Sequence, residues 1–152
     1  MRTLFLGSDH GGFGLKQELV QILTAAGHAV EDCGVNDPAS VDYPDIAKIV
    51  CKNVLARPLS LGILCCGTGI GMSIAANKID GIRAALCSET FSAKMARMHN
   101  DANVLCLGAR VIGIELAHEV ASAFLSVAFE GGRHVLRVEK ITLLETTDWH
   151  CH

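Results

Sequence analysis

Aromatic residues are scarce: one tryptophan, one tyrosine and five phenylalanines in a chain of 152 residues. The core must therefore be built mainly from Ala, Val, Ile and Leu, in a chain that is 50% hydrophobic with a mean hydropathy of +0.35. Small and branched side chains favour helices packed tightly on a parallel sheet, whose strands are buried on both faces and read as unbroken apolar runs. An excess of one charge is missing too. A formal net charge of -3 gives no overall reason to expect nucleic acid or an anionic membrane as partner. No apolar stretch reaches the ~18 residues that cross a bilayer. The opening Met1-Arg2-Thr3-Leu4-Phe5-Leu6 runs directly into Gly7-Ser8-Asp9-His10, too short for a secretory signal, so the cytoplasm is the expected location. The seven cysteines include no C-x-x-C pair, which argues against a secreted disulfide framework and against a dithiol redox protein. Cys65, Cys87 and Cys106 each sit inside an apolar run and are expected to be small core residues.

What is present is alternation. Leu4–Gly7, Ala29–Cys33, Leu61–Cys66, Arg83–Cys87 and Val104–Leu107 read as strands. Between them, Leu15, Leu19, Ile22 and Leu23 form the stripe of an amphipathic helix. A second helix is expected from near Pro44, where a fixed φ suits a first turn. Further helices are expected over Ile70–Lys78, Phe91–His99 and the stretch carrying Ile114, Ala117, Ala121 and Phe124. A last one, Arg133 to about Glu145, has no strand after it, so it is free to pack on its own sheet or on another subunit. Strand–helix alternation predicts βαβ units, right-handed crossovers and an α/β fold with a parallel sheet. The chain reads as one domain over 1–145, with 146–152 as a tail whose His150-Cys151-His152 is expected to be a solvated end rather than a metal site.

In an open parallel sheet, ligands bind beyond the carboxyl ends of the strands. Four such ends carry polar or glycine-rich groups: Ser8-Asp9-His10-Gly11-Gly12, Cys66-Gly67-Thr68-Gly69-Ile70-Gly71, Ser88-Glu89 and Gly108-Ala109-Arg110. The glycine segment is neither G-x-G-x-x-G nor a P-loop. Its glycines admit a ligand close to backbone N–H groups at a helix start, or simply make a tight turn. Cys66 adjoins them, and a thiolate facing a helix N-terminus is stabilised; its neighbour Cys65 must point the other way. Asp9 and His10 can hydrogen-bond sugar oxygens. His99, near a helix end, is either a cap or a functional group. Arg133 and Arg137 are spaced i, i+4, either as a solvated basic face or as a phosphate clamp.

Taken together, seven segments give a more specific signal: Gly-Ser-Asp-His-Gly-Gly-Phe at 7–13, Asp-Tyr-Pro at 42–44, Cys-Gly-Thr-Gly-Ile-Gly at 66–71, Ala-Ala-Asn-Lys at 75–78, Gly-Ile-Arg-Ala at 81–84, His-Asn-Asp-Ala-Asn-Val-Leu at 99–105 and Glu-Gly-Gly-Arg-His at 130–134. In this order they resemble the ribose-5-phosphate isomerase B family, which forms one superfamily with the galactose-6-phosphate isomerase subunits. The resemblance implies a Rossmann-like three-layer α/β/α fold with a five-stranded parallel sheet and an extra C-terminal helix at the subunit interface. It implies a homodimer or a tetramer of dimers with a shared site. It also implies interconversion of ribose 5-phosphate and ribulose 5-phosphate through an enediolate, with no metal and no cofactor. The family's base is a cysteine in one branch and a glutamate after the glycine loop in the other. Cys66 and Met72 stand at those positions, which resembles the cysteine branch.

Carried over in the same way, Asp9, His10 and Asn100 contact substrate, and Tyr43 lines the pocket. Gly67, Gly69, Ile70 and Gly71 present N–H groups to the enediolate, assisted by the Thr68 hydroxyl. His99 opens the sugar ring, and Arg110, Arg133 and Arg137 hold phosphate. Ser8 stands where a cysteine is common in the family, and Thr90-Phe91 where Pro-Tyr is common. Two other readings remain: an isomerase of a six-carbon sugar phosphate such as allose 6-phosphate or galactose 6-phosphate, and a non-catalytic phosphosugar-binding module.

Overall fold

The structure, a computed structural model, describes residues 2–146; the closing His150-Cys151-His152 lies outside the described residues. Five parallel strands, β1 (Thr3–Ser8), β2 (Ala29–Asp32), β3 (Leu61–Cys66), β4 (Ala84–Leu86) and β5 (Val104–Gly108), form a single sheet in the order β2-β1-β3-β5-β4. Six helices cover it: α1 (Phe13–Ala25), α2 (Tyr43–Ala56), α3 (Ile70–Ala76), α4 (Thr90–Asn100), α5 (Ile114–Leu125) and α6 (Arg133–Leu143). β3 and β5 are buried along their whole length, as expected of central strands covered on both faces.

Strand order fixes which helix lies on which face. Moving outward from β1 to β2 and back from β4 to β5 is motion in one direction; β2 to β3 and β3 to β4 is motion in the other. Right-handed crossovers then put α1 and α4 on one face and α2 and α3 on the opposite one. The two apolar clusters agree. Leu15, Leu19 and Leu23 of α1, Ala93 and Ala96 of α4, and Ala117, Val120 and Phe124 of α5 pack on one side. Ile46, Val50 and Val54 of α2 meet Met72 and Ala76 of α3 on the other. Alternation along β3 sends Cys65 into the first cluster and Cys66 into the second.

Polar anchors tie the ends of this sandwich. Lys16, fully buried, donates to both carboxylate oxygens of Asp32 at 2.7 and 2.8 Å and to the Val35 carbonyl. Asp101, in the left-handed region at φ 46°, receives Arg83 and Arg97 at 2.9 Å each. α6 follows the last strand, packs against α4, and leaves Val135, Leu136 and Ile141 exposed. Among the described residues, no helix is long and apolar enough to cross a membrane.

Candidate active site

At the carboxyl end of the sheet, three strand ends converge. The turn after β3 places the Gly69 N–H 3.1 Å from Cys66 Sγ, with the sulfur accepting. The geometry requires glycine: Gly69 sits at φ 77°, and a Cβ there would lie 3.0 Å from the Leu107 backbone. The Thr68 hydroxyl oxygen accepts from the Ile70 N–H at 3.3 Å, which leaves its own proton free to donate. Cys66, the last residue of β3, is only 5% exposed and faces the cluster formed with α2 and α3. Met72 is fully buried behind it and can take no proton.

The neighbouring ends close around this turn. Asp9 is buried, and its Oδ1 accepts from the Gly12 N–H at 3.0 Å. A side chain at Gly11 would meet both Asp9 Oδ1 and Gly67 N at 3.3 Å, so the loops after β1 and β3 touch. His10 is exposed, its Nδ1 accepting from the Val41 N–H at 3.5 Å. Arg110 donates its backbone N–H to the Gly67 carbonyl at 2.9 Å, and its guanidinium lies over Gly67, where a Cβ would come within 3.1 Å of Nη1. Tyr43, at the start of α2, lays its ring against Gly71, where a Cβ would stand 2.6 Å from Cζ. Ile70 is half exposed at the rim. Asp9, His10, Tyr43, Cys66, Gly67 to Gly71 and Arg110 are therefore brought together. Ser88-Glu89 is used differently. The Glu89 carboxylate caps α4, accepting from Phe91 and Ser92 N–H at 2.6 and 2.8 Å, and the Ser92 bond leads in holding it below the usual carboxylate range.

Four of the other candidates lie elsewhere in the same chain. α4 runs antiparallel to the strands, and its 11 residues span about 16 Å at 1.5 Å per residue. Its last residues, His99 and Asn100, thus reach the amino ends of the strands; Arg83, just before β4, donates Nε to the Asn100 carbonyl at 3.0 Å. Arg133 and Arg137 open α6 beside them, with Arg137 Nη1 donating to the Arg133 carbonyl. Here the structure adds two residues that spacing alone did not single out. The His134 ring stacks on His99 with centroids 4.2 Å apart and an interplanar angle of 11°. Glu130 Oε2 lies 3.7 Å from His99 Nε2 and 3.4 Å from His134 Nε2. Burial, then the charges of His99 and Arg133, lower the His134 pKa against the opposing pull of Glu130. The i, i+4 spacing of Glu130 and His134 was the available signal.

Four other thiols, those of Cys51, Cys65, Cys87 and Cys106, are buried. Burial pushes Cys51 and Cys65 up to about 12 and Cys87 to about 11, and raises Cys106 as well. Cys66 differs in having a backbone donor aimed at its sulfur.

Known proteins resemble this chain in sequence and in fold. Ribose-5-phosphate isomerase B of Escherichia coli is 49% identical over 145 residues, covering 95% of this chain and 97% of its own. A D-erythrulose-4-phosphate isomerase of Pectobacterium atrosepticum is 43% identical, covering 99% of each. Among solved structures, Clostridium thermocellum ribose-5-phosphate isomerase B superposes with a TM-score of 0.92 at 47% identity, covering 95% of this chain and 97% of that one. The family described as Ribose/Galactose Isomerase matches residues 4–141. With nearly the whole length matched in sequence and in fold, this chain belongs to the ribose/galactose isomerase family.

Proposed function

We propose that the protein interconverts ribose 5-phosphate and ribulose 5-phosphate, with Cys66 carrying the proton between C1 and C2 on one face of a cis-enediolate. The observation that carries this reading is the Gly69 N–H aimed at Cys66 Sγ, at the mouth where β1, β3 and β5 end. The thiolate removes the proton beside the carbonyl and returns it to the adjacent carbon. Backbone N–H groups of the 67–71 loop beyond those of Gly69 and Ile70, which Cys66 and Thr68 engage here, balance charge as it develops on the carbonyl oxygen, with the Thr68 hydroxyl. Asp9 and His10 orient hydroxyls, Tyr43 walls the pocket and Arg110 binds phosphate.

His99, Asn100, Arg133 and Arg137 are too far from Cys66 within one chain to share its substrate. A homodimer that sets the amino end of one subunit against the carboxyl end of the other supplies both halves, and the exposed Val135, Leu136 and Ile141 of α6 suit that contact. Ring opening then falls to His99 and phosphate binding to the arginines of the partner subunit. The 43% identity to the D-erythrulose-4-phosphate isomerase favours a second reading, a substrate one carbon shorter; comparing kcat/KM on both sugars separates the two.

Two assays test the proposal. Cys66→Ala lowers kcat roughly 10²–10⁴-fold in both directions, while wild type keeps its activity in a chelator; an unimpaired Cys66→Ala enzyme would reject Cys66 as the base. Ribulose 5-phosphate, esterified at C5, cannot close a furanose on that oxygen. His99→Ala therefore slows turnover of ribose 5-phosphate far more than turnover of ribulose 5-phosphate, and equal losses remove His99 from ring opening.

A further inference from the structure

The cluster of His99, Glu130 and His134 goes beyond a proton-transfer role. Its three donor atoms lie within 4.8 Å of one another. A tetrahedral ion with bonds of about 2.0–2.1 Å holds adjacent donors about 3.3–3.4 Å apart. The Glu130 oxygen already stands 3.4 Å from His134 Nε2 and 3.7 Å from His99 Nε2, close to two edges of such a tetrahedron. Two imidazoles and one carboxylate leave a fourth position for water, the donor count of open zinc sites.

We propose that His99, Glu130 and His134 form an inhibitory site for a borderline-soft divalent ion of the Zn2+ class, and that its occupancy withdraws His99 from ring opening. The inference rests on the proposed isomerase reading for its consequence, but the binding itself does not. The two rings lie in nearly parallel planes, 11° apart with centroids 4.2 Å apart; because a ring nitrogen's lone pair lies in its ring plane, one ring must tilt for both to reach one ion. His99 can do so, with a third of its side chain exposed, while His134 is held more tightly. Neighbouring Arg133 and Arg137 add positive charge, which works against ions held mainly by electrostatics. Imidazole donors correspondingly select Zn2+, Cu2+ or Co2+ over Mg2+ and Ca2+.

The test uses the full-length protein as wild type, Glu130→Gln and His134→Gln, with Co2+ as spectroscopic probe and Zn2+ as inhibitor. Wild type is expected to bind one more Co2+ than either variant, with the visible absorption of a four- or five-coordinate nitrogen–oxygen site and no thiolate charge-transfer band for that ion. Zn2+ should inhibit turnover of ribose 5-phosphate more strongly than turnover of ribulose 5-phosphate. Each variant should raise the half-inhibitory Zn2+ concentration at least about tenfold. Equal Co2+ stoichiometry and spectra in all three proteins overturn the site, as does Zn2+ inhibition equal in both directions and unchanged in the variants, the pattern of metal on Cys66. Because Co2+ binding needs no turnover, loss of the extra ion in the variants of an inactive protein would sink the isomerase reading and leave the site standing. An active isomerase whose Co2+ binding ignores both substitutions would do the reverse.

Discussion

The two ends of this sheet are built on opposite principles. The carboxyl end is crowded backbone. Gly11, Gly67, Gly69, Gly71 and Gly108 lie where a Cβ would press on a neighbouring strand, loop or side chain, and the Cys66 thiol there accepts from the Gly69 N–H. The amino end is side-chain chemistry at a helix terminus: two stacked imidazoles, a carboxylate and two arginines, with Arg133, Arg137 and Glu130 exposed. The contrast teaches that each end holds an incomplete set. One has a thiol, amide donors and a single guanidinium; the other has two guanidiniums and two imidazoles but no thiol, so on the proposed reading neither end can complete the reaction alone.

The largest effect that could break this comparison is complementation. Cys66→Ala and His99→Ala proteins are each expected to be nearly inactive on ribose 5-phosphate. If the two ends meet across a two-fold axis, unfolding and refolding an equimolar mixture rebuilds one intact site in each mixed dimer and recovers about a quarter of wild-type activity. No recovery, with mixed dimers demonstrated by mass, would place the site within single subunits and overturn the shared arrangement.

A smaller effect sharpens the contrast in rigidity. Gly69→Ala strains a left-handed residue and collides with Leu86 and Leu107, so it should lower stability by about 1–3 kcal/mol and displace the N–H from Cys66. Glu130→Gln, on the exposed amino end, should change stability by less than about 0.5 kcal/mol. Thermal melting of both variants checks the difference; equal shifts would show the carboxyl end to be no more constrained than the surface.

The smallest effect concerns the layer between the ends. Cys51, Cys65 and Cys87 stay protonated in the fold up to about 11–12 against an ordinary value of 9.0. Above pH 9 the unfolded chain releases those protons and the folded one does not, so stability is full below about pH 9 and declines as pH rises toward 12. Denaturant midpoints measured across that window should fall progressively, and Cys65→Ala should flatten the fall.

Much of the fold was legible because local pattern and tertiary burial agree. Continuous apolar runs at 61–66 and 104–107 became the two fully buried strands, and the Leu15–Leu19–Leu23 stripe faces the core. The shorter edge was less legible: the strand expected over Arg83–Cys87 pairs only at Ala84–Leu86, since Arg83 is drawn into hydrogen bonds with Asn100, Asp101 and Asn103. The strand-end rule found Asp9, Cys66, Gly67 and Arg110 because those residues are adjacent to their strands. It also pointed to Glu89, whose carboxylate caps a helix. His99, Arg133 and Arg137 were ambiguous from helix position and spacing and took a role only from the family resemblance, while Glu130 and His134 stood only within the Glu-Gly-Gly-Arg-His segment until α6 folded back on α4.

Sequence by itself determined the α/β class, the opposite facing of Cys65 and Cys66 on β3 with Cys66 next to the glycine loop, and the absence of a titratable group at Met72. Those follow from periodicity and from side-chain identity, which are local properties. Tertiary structure alone decided that β5 inserts between β3 and β4, that Glu89 is a cap, and that His99 and its neighbours gather at the far end of the sheet from the thiol. Each of these depends on the path the chain takes through space, because a helix returning antiparallel to its strands carries its last residues to the opposite edge whatever their chemistry.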